Sequence, residues 1–208
     1  MNLSKSLEEN YNHIKTDFVD CSDFLIRKAK TGNREFLIMV CDGLIDSLQL
    51  SQMVVSPILR CDEIDIDTIK KSITNSVELN EAETFADCYY YVMSGFAVVL
   101  VDGEDKALAF GVQSPPARSV DVPSNEQSTK APKEAFVEVL NTNKALLRKR
   151  LKTPHLKLKQ IKLASSAPMP CVIAYMDDRA DKELVSQITL ALQSSNLNTL
   201  TDFGTLVP

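Results

Sequence analysis

The stretch Phe96-Ala-Val-Val-Leu-Val-Asp-Gly-Glu-Asp-Lys-Ala-Leu-Ala-Phe-Gly-Val112 decides the fold class. Its two apolar runs, Phe96 to Val101 and Lys106 to Val112, flank Asp102-Gly103-Glu104-Asp105, and β-rich runs around a short glycine-containing turn form a hairpin. Working back toward the N-terminus, Phe24 to Lys30 and Glu35 to Val40 flank Thr31-Gly32-Asn33 in the same way, with Asp42-Gly43 closing the second run. Two hairpins at this spacing require a sheet. The segments around them carry a different period.

Leu3, Leu7, Tyr11 and Ile14 recur at helical spacing and predict a leading helix that ends near Asp17. A helix from Ser47 to Val55 is expected to stop near Pro57, because the residue before a proline is pushed out of the helical region. Another helix starts at Asp65 or Asp67. A third, Glu81 to Met93, has acidic residues in its first turn, where they complement the helix dipole, and an apolar face of Phe85, Cys88, Tyr89 and Val92.

After the second hairpin, Gln113 to Lys130 holds Pro115, Pro116 and Pro123 among Ser, Asn, Gln and Thr, which is a linker composition. Beyond it the periodicity predicts a helix from Lys133 to Lys152, strands from Leu156 to Leu163 and Cys171 to Tyr175, and a helix from Asp181 to Ser194. The tail from Asn196 is ambiguous. The expected fold is α/β (α+β), with two small subdomains, each a mixed β-sheet packed with helices, joined by a proline-containing linker. The boundaries read as 1–113, linker 114–130 and 131–208.

Charge supports that division. Residues 1–113 hold 10 Lys and Arg against 19 Asp and Glu, and residues 114–208 hold 13 against 9, so the net charge of −5 hides an acidic and a basic half. Five cysteines, Cys21, Cys41, Cys61, Cys88 and Cys171, are odd in number and without a Cys-x-x-Cys pair. Neither a disulfide framework nor a zinc site is expected; they read as small buried hydrophobes in a reducing compartment. The longest apolar run, Phe96 to Val101, is far short of the ~20 residues that cross a bilayer. The N-terminus lacks the apolar core of a signal peptide.

Candidate chemistry is sparse. The chain has only His13 and His155, and it lacks His-Glu-x-x-His, Gly-x-Ser-x-Gly and a glycine-rich phosphate loop. Asp62-Glu-Ile-Asp-Ile-Asp67 lacks the glycine and distal glutamate of a calcium loop and reads as helix initiation. Asp42, Asp46, Asp102, Asp177 and Asp178 lie at strand ends, where turns use aspartate for local hydrogen bonds. Arg148-Lys149-Arg150 and Lys152, followed by Lys157, Lys159 and Lys162, form a basic patch without interleaved aromatics. A solvated face, or one that meets the acidic half or an anionic membrane surface, explains it better than nucleic acid. On the helix after the linker Phe136, Val139, Leu140, Leu147 and Leu151 share one face. Asn143 falls among them and is expected to tie the helix to a neighbouring loop or strand.

One segment is more ordered than an amphipathic helix requires: Ala131-Pro-Lys-Glu-Ala-Phe-Val-Glu-Val-Leu-Asn-Thr-Asn-Lys-Ala-Leu-Leu-Arg-Lys-Arg-Leu151. It resembles the region in A subunits of spore germination receptors, the GerA family, where Gly-Pro-Arg-Glu-Gly-Phe leads into a helix carrying Thr-Asn and then an Arg-rich stretch. Ser22-Asp23-Phe24, Val40-Cys41-Asp42-Gly43-Leu44-Ile45-Asp46, Ser56-Pro57-Ile58-Leu59, Leu100-Val-Asp-Gly103 and Arg118-Ser119-Val120 also resemble family motifs. The chain departs at Lys130-Ala-Pro-Lys-Glu-Ala-Phe136, where alanines replace both glycines and lysines stand for the arginines. The resemblance implies the N-terminal region of a longer membrane protein, lodged in the spore inner membrane and facing the spore core. It implies B and C subunits as partners, with self-association, a small-molecule nutrient and an anionic membrane surface as further candidates. The implied function is assembly and signal coupling in germination and ion release, without catalytic residues, metal or cofactor. The alternative is a module that binds a germinant between its two subdomains. The implied binding or interface residues are Lys130, Lys133, Glu134, Asn141, Thr142, Asn143, Arg148 and Arg150.

Overall fold

The computed structural model describes residues 1–32, 34–73, 78–114, 135–163 and 168–194. By contacts the chain divides into two compact units: Met1–Asp17 with Asp23–Thr153, and Phe18–Ser22 with the chain from Pro154 onward.

The first unit is built on a five-stranded sheet. β1 (Phe24–Thr31) and β2 (Arg34–Cys41) form the first expected hairpin, β4 (Phe96–Val101) and β5 (Ala107–Gly111) the second, and β3 (Leu79–Ala82) completes the order β1-β2-β4-β5-β3. Every pairing between these strands is antiparallel, so the sheet is not mixed. Its registers set Phe36 opposite Val101 and Val98 opposite Ala109.

Alternation along the strands gives two apolar faces. Phe36, Val40, Ala97, Val99, Val101, Leu108 and Phe110 pack with Val54, Ile58, Ile64 and Ile69. The other face, with the buried Leu37, Met39, Val98 and Leu100, meets α1 (Leu7–Asp17) and α5 (Phe85–Val92). α1 begins where Asp102 Oδ1 accepts the Leu7 amide at 3.1 Å. This is a long-range bond to the helix start, 95 positions away, and not the local turn bond expected of a strand-end aspartate.

Two helical expectations need correction. The helix from Ser47 does not stop before Pro57: α2 (Ser47–Gln49) runs through a π-helical stretch, Leu50–Val55, into α3 (Ser56–Leu59). Asp46 caps its start through the Leu48 and Gln49 amides. The π-helical stretch passes directly into α3, so the chain stays helical through Pro57 and the helix ends at Leu59. The helix expected from Glu81 instead begins at Phe85, behind a capping box between Thr84 and Asp87, while Leu79–Ala82 pairs with β5 as an edge strand. α4 (Ile66–Ile73) starts as anticipated at Asp65, whose carboxylate accepts the Thr68 amide.

α6 (Leu140–Arg150) belongs to the first unit, so the contact boundary falls after Thr153 and not within the proline-containing linker. The linker and the tail from Asn196 lie outside the described residues.

The second unit pairs β6 (Leu156–Leu163) with β7 (Met169–Met176), antiparallel, and packs α7 (Lys182–Gln193) against β6. Residues 18–22 lie along β6: the Ser22 amide donates to Leu158 O and the Leu158 amide to Asp20 O. Asp20 adopts φ 59°, a left-handed conformation that aspartate tolerates better than most side chains. The architecture is mixed α and β with antiparallel sheets, as expected for the class.

Candidate functional site around α6

α6 joins the stretches that carried the family resemblance. At its N-terminal end the Asn143 side chain closes the loop leading into the helix, accepting the Val137 amide at 2.8 Å and donating to Val137 O at 2.7 Å. The helix is therefore shorter than the 133–152 reading. Phe136 and Val139 stand before it, 64% and 60% exposed, and the buried face is Lys144, Ala145, Leu146 and Arg148. The stripe Phe136, Val139, Leu140, Leu147 and Leu151 is not the packed side.

That packed side approaches the turn after β2. Gly43 has φ +79°, and a Cβ there would lie 3.2 Å from both the Ala145 Cβ and Asn141 O. Glycine is thus required for its conformation and for the close approach of the helix. The Asn141 amide reaches the Asp42 carboxylate at 3.4 Å.

Arg148 lies at the centre of this joint with no exposed surface, as does Asp23 at 1%. Its Nε donates to Asp23 Oδ2 at 2.8 Å and its Nη2 to Asp23 Oδ1 at 3.0 Å, a bidentate fork, while Nη1 donates to Thr153 O at 2.7 Å. Removing one partner of a buried pair leaves an uncompensated charge and costs ~3–5 kcal/mol. This corrects the solvated basic patch: Arg148 is internal. Lys157 is also buried and pairs with Asp177 at 3.2 Å. Lys149 and Arg150 are exposed, and Thr142 is half-buried. Lys130, Lys133 and Glu134 lie outside the described residues.

Beside the C-terminal end of α6 a cleft of about 340 Å³ is lined by Leu44, Met93, Ser94, Gln113, Lys149 and Lys152. Lys152 bonds the Ser94 hydroxyl at 3.0 Å and lies over the Tyr90 ring. A second cleft, about 490 Å³, is edged by Arg34, Lys70, Glu81, Glu104 and Lys106. Several of its charges pair within it, Arg34 with Glu104 at 3.3 Å and Lys106 with Glu81 at 3.5 Å. Lys70 also pairs with Glu81 and holds that carboxyl below its ordinary value against the opposing effect of burial. Asp65, Asp67 and Asp105 also line it, so five carboxylates face three cations and the cleft is acidic on balance.

Among the described residues one group could offer several ligand atoms to a metal, His155, Asp177 and Asp178, within 4.8 Å of one another. Both Asp177 oxygens are already engaged, one by His155 Nδ1 at 2.8 Å and the other by the Lys157 ammonium. A cation would have to displace that ammonium. The cysteines are free thiols, and burial pushes the Cys88 pKa up to about 12 and raises that of Cys171, which keeps these two protonated. No helix among the described residues is long and apolar enough to cross a membrane.

The buried Asp23–Arg148 pair was missed because its partners are 125 positions apart. The only available signal was that each lay in a stretch resembling the same family.

A family model for the Bacillus/Clostridium GerA spore germination protein matches residues 12–207. Spore germination protein B1 of Bacillus subtilis (strain 168) is 30% identical over 99% of this chain and 44% of its own length. Spore germination protein A1 of the same organism is 27% identical over 89% of this chain and 39% of its own length. The chain spans less than half the length of these curated relatives. Its fold matches the crystal structure of the N-terminal domain of the A subunit of the Bacillus megaterium spore germinant receptor GerK3, with a TM-score of 0.73, 24% identity, and coverage of 98% of this chain and 83% of that one. The chain therefore belongs to the GerA family of spore germination proteins.

Proposed function

We propose that this chain is a non-enzymatic N-terminal region of a germinant receptor A subunit, acting in receptor assembly and in coupling nutrient sensing to germination and ion release. The observation that carries the reading is the convergence on α6: Asp23, Asp42-Gly43 and Asn141 to Arg148, drawn from three family-like stretches, form one packed joint. Convergence on a structural joint, with burial keeping the Cys88 thiol protonated, favours a mechanical role over catalysis. Its partners in this reading are the receptor's B and C subunits. Its place is on the spore-core side of the inner membrane.

The test is made in spores that carry the full-length gene. With residues 1–208 exchanged for an unrelated folded domain, the B and C subunits should no longer co-purify with the A subunit and the nutrient response should be lost. Unchanged co-purification and germination would sink the proposal. Direct germinant sensing is the other outcome to watch: a germinant that binds the folded chain must raise its melting temperature.

A further inference from the structure

We propose that Tyr89 and Arg148 form a two-point clamp that fixes all three places where the chain crosses between its units. The crossings are Asp17 to Phe18, Ser22 to Asp23, and Thr153 to Pro154. In each, the residue on the first unit's side is held by one of these two side chains. The Tyr89 hydroxyl donates to Asp17 Oδ2 at 2.6 Å. The Arg148 guanidinium takes the Asp23 carboxylate with Nε and Nη2 and the Thr153 carbonyl with Nη1.

The chemistry suits the task. A guanidinium presents five donors in a rigid plane, so a single side chain can hold a carboxylate bidentately and still reach a backbone carbonyl, which the point charge of a lysine cannot do. Both clamping residues sit on helices packed into the first unit, Tyr89 on α5 and Arg148 on α6, and both are at least nine-tenths buried. Two crossings distant in sequence thus share one anchor. The Asp42 amide extends the tie by donating to Asp23 O at 2.7 Å, which links the anchor to the Gly43 turn under α6. A displacement of α6 therefore moves the Asp23 and Thr153 crossings together. The inference stands on this geometry and does not depend on the germination reading.

Hydrogen–deuterium exchange on the purified 208-residue chain tests it, comparing the parent with R148K, D23N and Y89F. In R148K, peptides around residues 20–24 and 151–155 should both lose at least tenfold more protection than β4. In D23N the 151–155 peptide should also loosen, although the Thr153 carbonyl is untouched, because Arg148 has lost its fixed partner. In Y89F the loss should centre on residues 15–19. Loss confined to one crossing in R148K, loss spread equally over β4, or no loss would overturn the clamp. Should R148K not fold, D23N decides: an effect restricted to residues 22–24 overturns the proposal.

Discussion

In the first unit every residue of β4 is buried, whereas in the second β7 has no buried residue and α7 buries only Thr189. Among the described residues the first sheet has five strands with helices on both faces, and the second unit has two strands and one helix. Leu184, Ile188 and Leu190 of α7 remain 41% to 65% exposed. A two-stranded ribbon supported by a single helix is near the minimum that folds independently. The contrast teaches that the described residues of the two units bury their side chains unevenly. The well-filled unit also holds the fully buried Asp23–Arg148 pair, whose desolvation is offset by its bidentate geometry and the third bond to Thr153 O.

The largest test of that contrast is Phe36→Ala. Phe36 is fully buried at the centre of the larger core, and its truncation should cost about 3–5 kcal/mol, read as a drop in denaturation midpoint at constant slope. Leu158→Ala is its counterpart in the second unit. Leu158 is equally buried, but a leucine removes less apolar volume than a phenylalanine and β7 beside it has no buried residue, so a cost of about 2–3 kcal/mol is expected. Equal costs would break the comparison.

Gly43→Ala should cost about 1–2 kcal/mol by forcing a Cβ into a positive-φ turn and against α6. Amide exchange should rise at Asn141 to Ala145 and leave β6 unchanged. The smallest effect is an acid one. Burial alone would raise the Asp177 pKa, but hydrogen bonds from His155 and Lys157 outweigh it and hold the carboxyl below its ordinary value of 3.8. A carboxylate depressed in the folded state stabilises fully above that value and loses the contribution as the pH falls through the folded pKa. Melting of the parent should therefore fall faster than that of Asp177→Asn below about pH 4, and parallel curves would count against the contact.

Much of the sheet was legible because each hairpin wrote itself twice, in the β-rich runs and in the glycine turn. β3 was not, since four residues are too few to show a period and the acids around Glu81 mimic a helix start; Thr84, three residues before Asp87, was the signal that could have separated strand from helix. Asn143 ties the helix to its neighbouring loop as expected, although the apolar stripe that suggested it is not the packed face. The burial of Arg148 was not legible. A basic run looks solvated until a carboxylate 125 residues away folds onto it, and that pairing is a property of topology, not of local sequence.

The π-helical stretch has a consequence for periodicity. Leu50, Val54 and Ile58 repeat every four residues, a spacing that drifts off one face in a helix of 3.6 residues per turn. Widening the turn over Leu50–Val55 cancels the drift and brings Leu50, Val54 and Ile58 to the same core. The stretch acts as a phase corrector, a place where one residue more or less in the chain decides whether Ile58 faces the sheet or the solvent.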